Sequence, residues 1–146
     1  MRRSEVTEQI LEAKRNNGWT FTGIARELGT DRMWTTAALL GQHPFERDAA
    51  ARLCSLLELP EEALPALCEI PVRGGEMSVP PTDPTMYRLY EALQVYGPAI
   101  KQLIHEDFGD GIMSAISFRA DVQREDTEEG PRVQITLDGK FLPYKW

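Results

Sequence analysis

Asp83-Pro-Thr-Met-Tyr-Arg-Leu-Tyr-Glu-Ala-Leu-Gln-Val-Tyr-Gly97 opens as a helix and decides the fold of the C-terminal half. Asp83 offers a side-chain oxygen to the unpaired N–H groups of a first turn, and Pro84 sits where its missing N–H costs nothing. On a helical wheel Leu89, Tyr90, Leu93 and Tyr96 gather on the side of Met86. Arg88 and Glu91 fall opposite, about 60° apart, with Val95 between them. Two readings of that second face stay open. A solvent-exposed i,i+3 ion pair contributes only a few tenths of a kcal/mol. Alternatively the face lines an interface or pocket in which Arg88 presents its planar fork to an anion. An apolar Val95 at the centre of a solvated face is out of place under the first reading.

Downstream, Gly97-Pro98 breaks or kinks the helix, and a second helix is expected over residues 98–108, stopped by Gly109. From Ile112 the period becomes two. Ile112, Ile116, Phe118, Ala120 and Val122 share one face of a strand, while Met113, Ser117, Arg119, Asp121 and Gln123 share the other. Ser114 falls on the apolar face. Its hydroxyl either satisfies packing by donating to a neighbouring carbonyl or is a donor aimed into a site. The acidic stretch 125–130 reads as a solvated loop, and residues 132–137 as a second strand with Val133, Ile135 and Leu137 inward. Asp138-Gly139 reads as a second turn before a short tail. Two helices and one hairpin bury little core, and a two-stranded hairpin is marginal alone. This half therefore needs partners, and oligomerisation is the simplest supply.

The N-terminal half reads as five short helices. The first covers residues 4–16 with Ser4 as cap. The second covers 21–28 between Thr20 and Gly29, and the third 32–40, capped by Thr30 or Asp31. The fourth covers 46–57, and a short fifth opens at Pro60. Ile24-Ala-Arg-Glu-Leu-Gly29, a short turn and the third helix form a helix-turn-helix pattern. It is either a DNA reader or a packing unit that shares the geometry. Residues 1–75 hold nine Lys/Arg against eleven Asp/Glu, and the third helix carries one cation, Arg32. A DNA reader usually presents a basic face, so the pattern favours packing. Residues 73–81, with Gly74-Gly75 and Pro80-Pro81, read as the linker between domains 1–75 and 76–146.

The 146 residues allow one ordinary domain or two small ones. A net charge of −7 argues against general nucleic-acid affinity. No apolar run approaches the ~18 residues of a membrane span, and the N-terminus lacks a secretion signal's apolar core, so a cytoplasmic location is expected. Cys54 and Cys68, set among Leu and Ala, suit buried free thiols. Neither they nor His43 and His105 have metal-ligand spacing, and His105 fits a helix C-terminus. There is no Gly-x-Ser-x-Gly elbow, phosphate loop or dinucleotide fingerprint. An enzyme built from these residues would work by positioning and electrostatics.

Pro81-Thr-Asp-Pro-Thr-Met-Tyr-Arg-Leu-Tyr-Glu91, Leu93-Gln-Val-Tyr-Gly97, His105-Glu-Asp-Phe-Gly-Asp-Gly-Ile-Met-Ser-Ala-Ile116 and Ile135-Thr-Leu-Asp-Gly-Lys-Phe-Leu-Pro143 together resemble the cyanase family (cyanate hydratase, or cyanate lyase). Thr36-Ala-Ala-Leu-Leu-Gly-Gln42 and Asp48-Ala-Ala-Ala-Arg-Leu53 extend the resemblance into the N-terminal half. The resemblance implies an α+β protein in which a repressor-like helical bundle precedes a small dimerising domain. It also implies a homodecamer, a pentamer of dimers, with active sites between subunits. The family's catalytic Arg, Glu and Ser fall on Arg88, Glu91 and Ser114, and a backbone contact to substrate falls near Leu142. The implied reaction joins cyanate to bicarbonate, a co-substrate, and yields ammonia and carbon dioxide through carbamate. The nucleophile is then a substrate, and neither metal nor cofactor is implied. One departure is Gly75, where many relatives carry Cys; it lies outside the three catalytic positions. The competing reading is a helix-turn-helix transcriptional regulator that dimerises through its C-terminal half.

Overall fold

The structure, a computed structural model, describes residues 1–73 and 79–145, so the glycine pair of the expected linker lies outside the described residues. The chain divides into two compact units, Met1–Gly75 and Glu76–Trp146.

The first unit holds α1 (Arg3–Asn16), α2 (Phe21–Leu28), α3 (Arg32–Leu39), α4 (Arg47–Leu57) and α5 (Ala63–Cys68). Each helix contributes apolar residues to one core: Val6 and Ile10, Ile24 and Leu28, Ala38 and Leu39, Ala50, Leu53 and Leu57, then Ala63, Ala66 and Leu67, with Phe45 between helices. Local chemistry sets the boundaries. Thr20 caps α2 by accepting from the Gly23 N–H, and Gly29 closes it at φ 69°, a conformation glycine adopts without strain. Asp31 caps α3 by accepting from the Trp34 N–H at 2.8 Å. Thr35 is fully buried, and its hydroxyl donates to the Asp31 carbonyl at 2.6 Å. A hydroxyl has one hydrogen, so Thr30 is the donor in the 2.7 Å Thr30–Thr35 bond. The helix-turn-helix corner is thus fastened by polar groups that are fully satisfied.

Ser4 does not cap α1. The helix starts one residue earlier, because Glu5 reaches back to accept from the Arg2 backbone N–H and from Arg2 Nε, both at 2.8 Å. That pairing holds the Glu5 carboxyl below the usual carboxylate range, the bond from the Arg2 backbone being the largest cause. The fifth helix begins at Ala63, beyond Pro60, and Pro65 fits inside its first turn, where no intrahelical N–H is needed.

The second unit holds α6 (Pro84–Phe108) and the antiparallel hairpin of β1 (Gly111–Thr127) and β2 (Gly130–Pro143). The expected pair of helices is a single helix of 25 residues with Pro98 inside it. Pro98 removes one backbone bond, to Gln94, at a cost of about 3 kcal/mol. The bonds on either side keep the helix continuous. Asp83 caps it as expected, accepting from the Met86 N–H at 2.9 Å.

The strands are longer than the sequence suggests. The acidic loop contracts to a turn at Glu128-Glu129, and Glu125 and Asp126 join the ladder opposite Arg132 and Pro131. Asp138-Gly139 is not a turn: Asp138 faces Arg119 and Gly139 faces Phe118 within β2. The ladder instead breaks in β1. Met113 faces Phe141 and Phe118 faces Gly139, so residues 114–117 bulge out against Lys140 alone.

Among the described residues of this unit only Pro81, Gly111 and Ser114 are buried. Both faces of α6 are open: Leu93 on the expected apolar side is 57% exposed and Val95 on the Arg88 side 65%. The hairpin leaves Val133, Ile135 and Leu137 open as well.

Candidate active site

Arg88 and Glu91 lie in the second and third turns of α6 and point to the same side of the helix, as the wheel requires. Arg88 Nη1 donates to Glu91 Oε2 at 2.7 Å, with the side chains 75% and 48% exposed. In an isolated chain such a pair contributes little to stability. It does hold the guanidinium in place, and the bond uses only one of its five donors. The remaining donors suit a planar, doubly hydrogen-bonded anion.

Ser114 lies beyond the other end of α6, near the start of β1. The C-terminus of α6 packs on the open end of the hairpin, where the Phe108 and Phe141 rings stack with centroids 5.4 Å apart. Ile104, Phe108, Met113, Leu137, Gly139 and Phe141 line a cleft of about 360 Å³ there. His105 fastens the junction as a C-terminal helix residue, with Nδ1 3.2 Å from the Gly109 carbonyl and 3.3 Å from Asp110 Oδ1. The Asp110 backbone carbonyl accepts from the Tyr144 N–H at 3.0 Å, which ties the segment after β2 to the start of β1. Leu142 faces Ile112 in the ladder and so shares this end of the hairpin with Ser114.

Simple alternation misplaces Ser114. It was expected between Ile112 and Ile116 on one apolar face, yet Ser114 is 6% exposed and Ile116 91%. The bulge separates them. Nor does the hydroxyl simply serve packing as a donor to a nearby carbonyl. Its Oγ accepts from the Ile116 N–H at 3.1 Å and the Ser117 N–H at 3.0 Å. Both bonds use lone pairs, so neither consumes the hydroxyl hydrogen.

One chain does not bring the three residues together. Arg88 precedes Phe108 by 20 residues of continuous helix, about 30 Å at ~1.5 Å per residue. Arg88 and Glu91 are therefore close neighbours at one end of α6, while Ser114 belongs to the other. Elsewhere, Cys54 and Cys68 are free and half-buried, and burial, aided by Cys68, pushes the Cys54 thiol up. Among the described residues no group of three or more His, Cys, Asp or Glu is placed to hold a metal ion. No described helix is long and apolar enough to cross a membrane. In the helix-turn-helix corner, Trp34 of α3 is turned into an aromatic cluster, stacked on His43 at 5.9 Å and edge-on to Phe45 at 5.5 Å.

Comparison with known proteins covers both units. Residues 3–71 match the family model described as "Cyanate hydratase, N-terminal", and residues 78–146 the "Cyanate lyase C-terminal domain". The chain is 51% identical over 146 residues to a cyanate hydratase of Mycolicibacterium vanbaalenii, covering 100% of this chain and 95% of that one. It is 50% identical to a cyanate hydratase of Cupriavidus necator, covering 99% of each. The crystal structure of cyanase from T. urticae superposes with a TM-score of 0.81 at 38% identity, over 94% of this chain and 96% of that one.

Proposed function

The chain belongs to the cyanase (cyanate hydratase) family, and on that premise we propose that it decomposes cyanate in a bicarbonate-dependent reaction, using Arg88, Glu91 and Ser114 in sites shared between subunits. The observation that carries the shared site is the separation of Arg88 and Ser114 by most of the length of α6. A second copy of the chain is the simplest source of the missing half, and the uncovered apolar faces of the second unit supply a surface for it.

The chemistry fits these groups. A bicarbonate oxygen attacks the cyanate carbon to form a carbon–oxygen bond, and the cyanate nitrogen takes up a proton. The mixed anhydride then breaks at the bicarbonate-derived carbon and releases carbon dioxide. Carbamate remains, takes a further proton and falls apart to ammonia and a second carbon dioxide. Two anions consume two protons in all, and no protein atom is covalently modified. The obstacle is the approach of two negative charges in a partly dry site. Arg88 guanidinium groups offset that repulsion with bidentate donors. The Ser114 hydroxyl donates to a substrate oxygen or nitrogen. Glu91 orients Arg88; a carboxylate this close to bound anions is tolerated because it is paired. The same reading assigns no cofactor, a cytoplasmic location and no specific nucleic-acid partner.

The test follows ammonia release from cyanate by purified protein. Turnover is expected to require bicarbonate and to persist in a metal chelator. Full-rate turnover after rigorous bicarbonate removal would contradict the proposed nucleophile. Loss of turnover on chelation would contradict the absence of a metal.

A further inference from the structure

We infer that Gly139, through the bulge seated on it, is a positioning residue for Ser114; the inference rests on reading Ser114 as a group that contacts substrate. Asp138-Gly139 looks like a turn in sequence but lies within β2, so the glycine is not there to make a turn. Nor is its backbone in the left-handed region, as those of Gly109 and Gly130 are. What the glycine supplies is room. A Cβ at this position would overlap the Ser114 carbonyl oxygen and Met113 Cγ, and would stand 3.2 Å from Met113 Sδ. These are the residues at which β1 leaves the ladder, four positions of β1 answering to Lys140 alone.

The Ser114 carbonyl thus occupies space that a side chain takes at any other residue. With the carbonyl seated there, Ser114 Oγ comes under the Ile116 and Ser117 N–H groups and closes the bulge by accepting from both. Two accepted bonds polarise the hydroxyl and leave its hydrogen to donate outward. Gly139 therefore sets how far Ser114 stands from β2, and the bulge sets the hydroxyl's role as a donor.

The test is a double-mutant cycle on the assembled protein, with cyanate and bicarbonate as substrates and sedimentation as the control for assembly. Gly139→Ala is expected to lower kcat/KM about 100-fold, the scale of a displacement near 1 Å, with assembly unchanged. Adding Gly139→Ala to Ser114→Ala is expected to cost nothing further, because the group being positioned is already gone. A purely structural role would give losses that multiply in the double variant, and that result overturns the inference. So does near-normal kcat/KM in Gly139→Ala alone. If Ser114→Ala is itself fully active, the reading of Ser114 fails and the inference goes with it. If Gly139→Ala does not assemble, Ser117→Pro removes one of the two donors to Ser114 Oγ at an exposed position. A fall in its kcat/KM supports the bulge as the positioning device, and unchanged kcat/KM overturns it.

Discussion

Arg88→Lys is expected to lose most cyanate turnover although the positive charge is kept. An ammonium is a point charge with three rotating donors, whereas the guanidinium presents a planar fork that meets two oxygens at once. If Arg88 stabilises charge that gathers on the joined substrates, the lost contact should cost about 2–4 kcal/mol, by analogy with deleted oxyanion donors. That corresponds to roughly 30- to 1,000-fold in kcat/KM. The fold of the single chain should barely move, since within it the Arg88–Glu91 pair lies at the surface, with the arginine side chain 75% exposed. The two measurements separate the readings left open by the helical wheel. A surface ion pair predicts near-normal turnover in Arg88→Lys; an anion site predicts its collapse with the fold intact.

Among the described residues, the buried core side chains, from Val6 to Leu67, all belong to the first unit. The second unit leaves Met86, Leu93, Val95 and Ile100 on α6, and Val133, Ile135 and Leu137 on the hairpin, open to solvent. Covering surface of this kind on association stabilises by about 25 cal/mol per Å² before the costs of ordering. The protein is therefore expected to sediment as a large closed homo-oligomer, a decamer on the family reading, with activity confined to that species. Dilution or mild denaturant that dissociates it should abolish turnover before the first unit melts, because that unit has its own core. A fully active monomer in sedimentation measurements would be incompatible with a shared site.

Much of this fold is legible in the sequence where the deciding chemistry is local. Thr20 with Gly23, Gly29, and Asp83 with Pro84 each fix a helix end through groups within a few residues of one another, and all three read correctly. Errors arise where a distant strand or a long helix decides. Pro98 looks like a break because its lost bond is local, while the rest of α6 that carries the helix past it is not. Asp138-Gly139 looks like a turn because what the glycine accommodates, the Ser114 carbonyl, comes from a strand some 25 residues earlier. The bulge at residues 114–117 has no period of its own, so alternation runs through it and puts Ser114 and Ile116 on one face. The continuing pattern after Gly139, Lys140-Phe-Leu-Pro143, was a signal that the strand does not end there. As for the site, spacing alone leaves Arg88 and Glu91 open between a surface pair and an anion site, and Ser114 open between packing and a donor. Their assignment as a constellation comes from the family motifs, because one chain holds the pair and the serine far apart.

Under the proposed function Arg88 and Ser114 act together only across subunits. Arg88→Ala and Ser114→Ala chains, each assembled alone, should be inactive. Mixed in equal amounts, dissociated and reassembled, they should regain part of wild-type activity, because some sites then draw an intact Arg88 from one chain and an intact Ser114 from another. Simple mixing without dissociation, in which subunits do not exchange, is the control and should stay inactive. Reassembled mixtures proven by mass to contain both chains, yet no more active than either parent, would contradict the shared site.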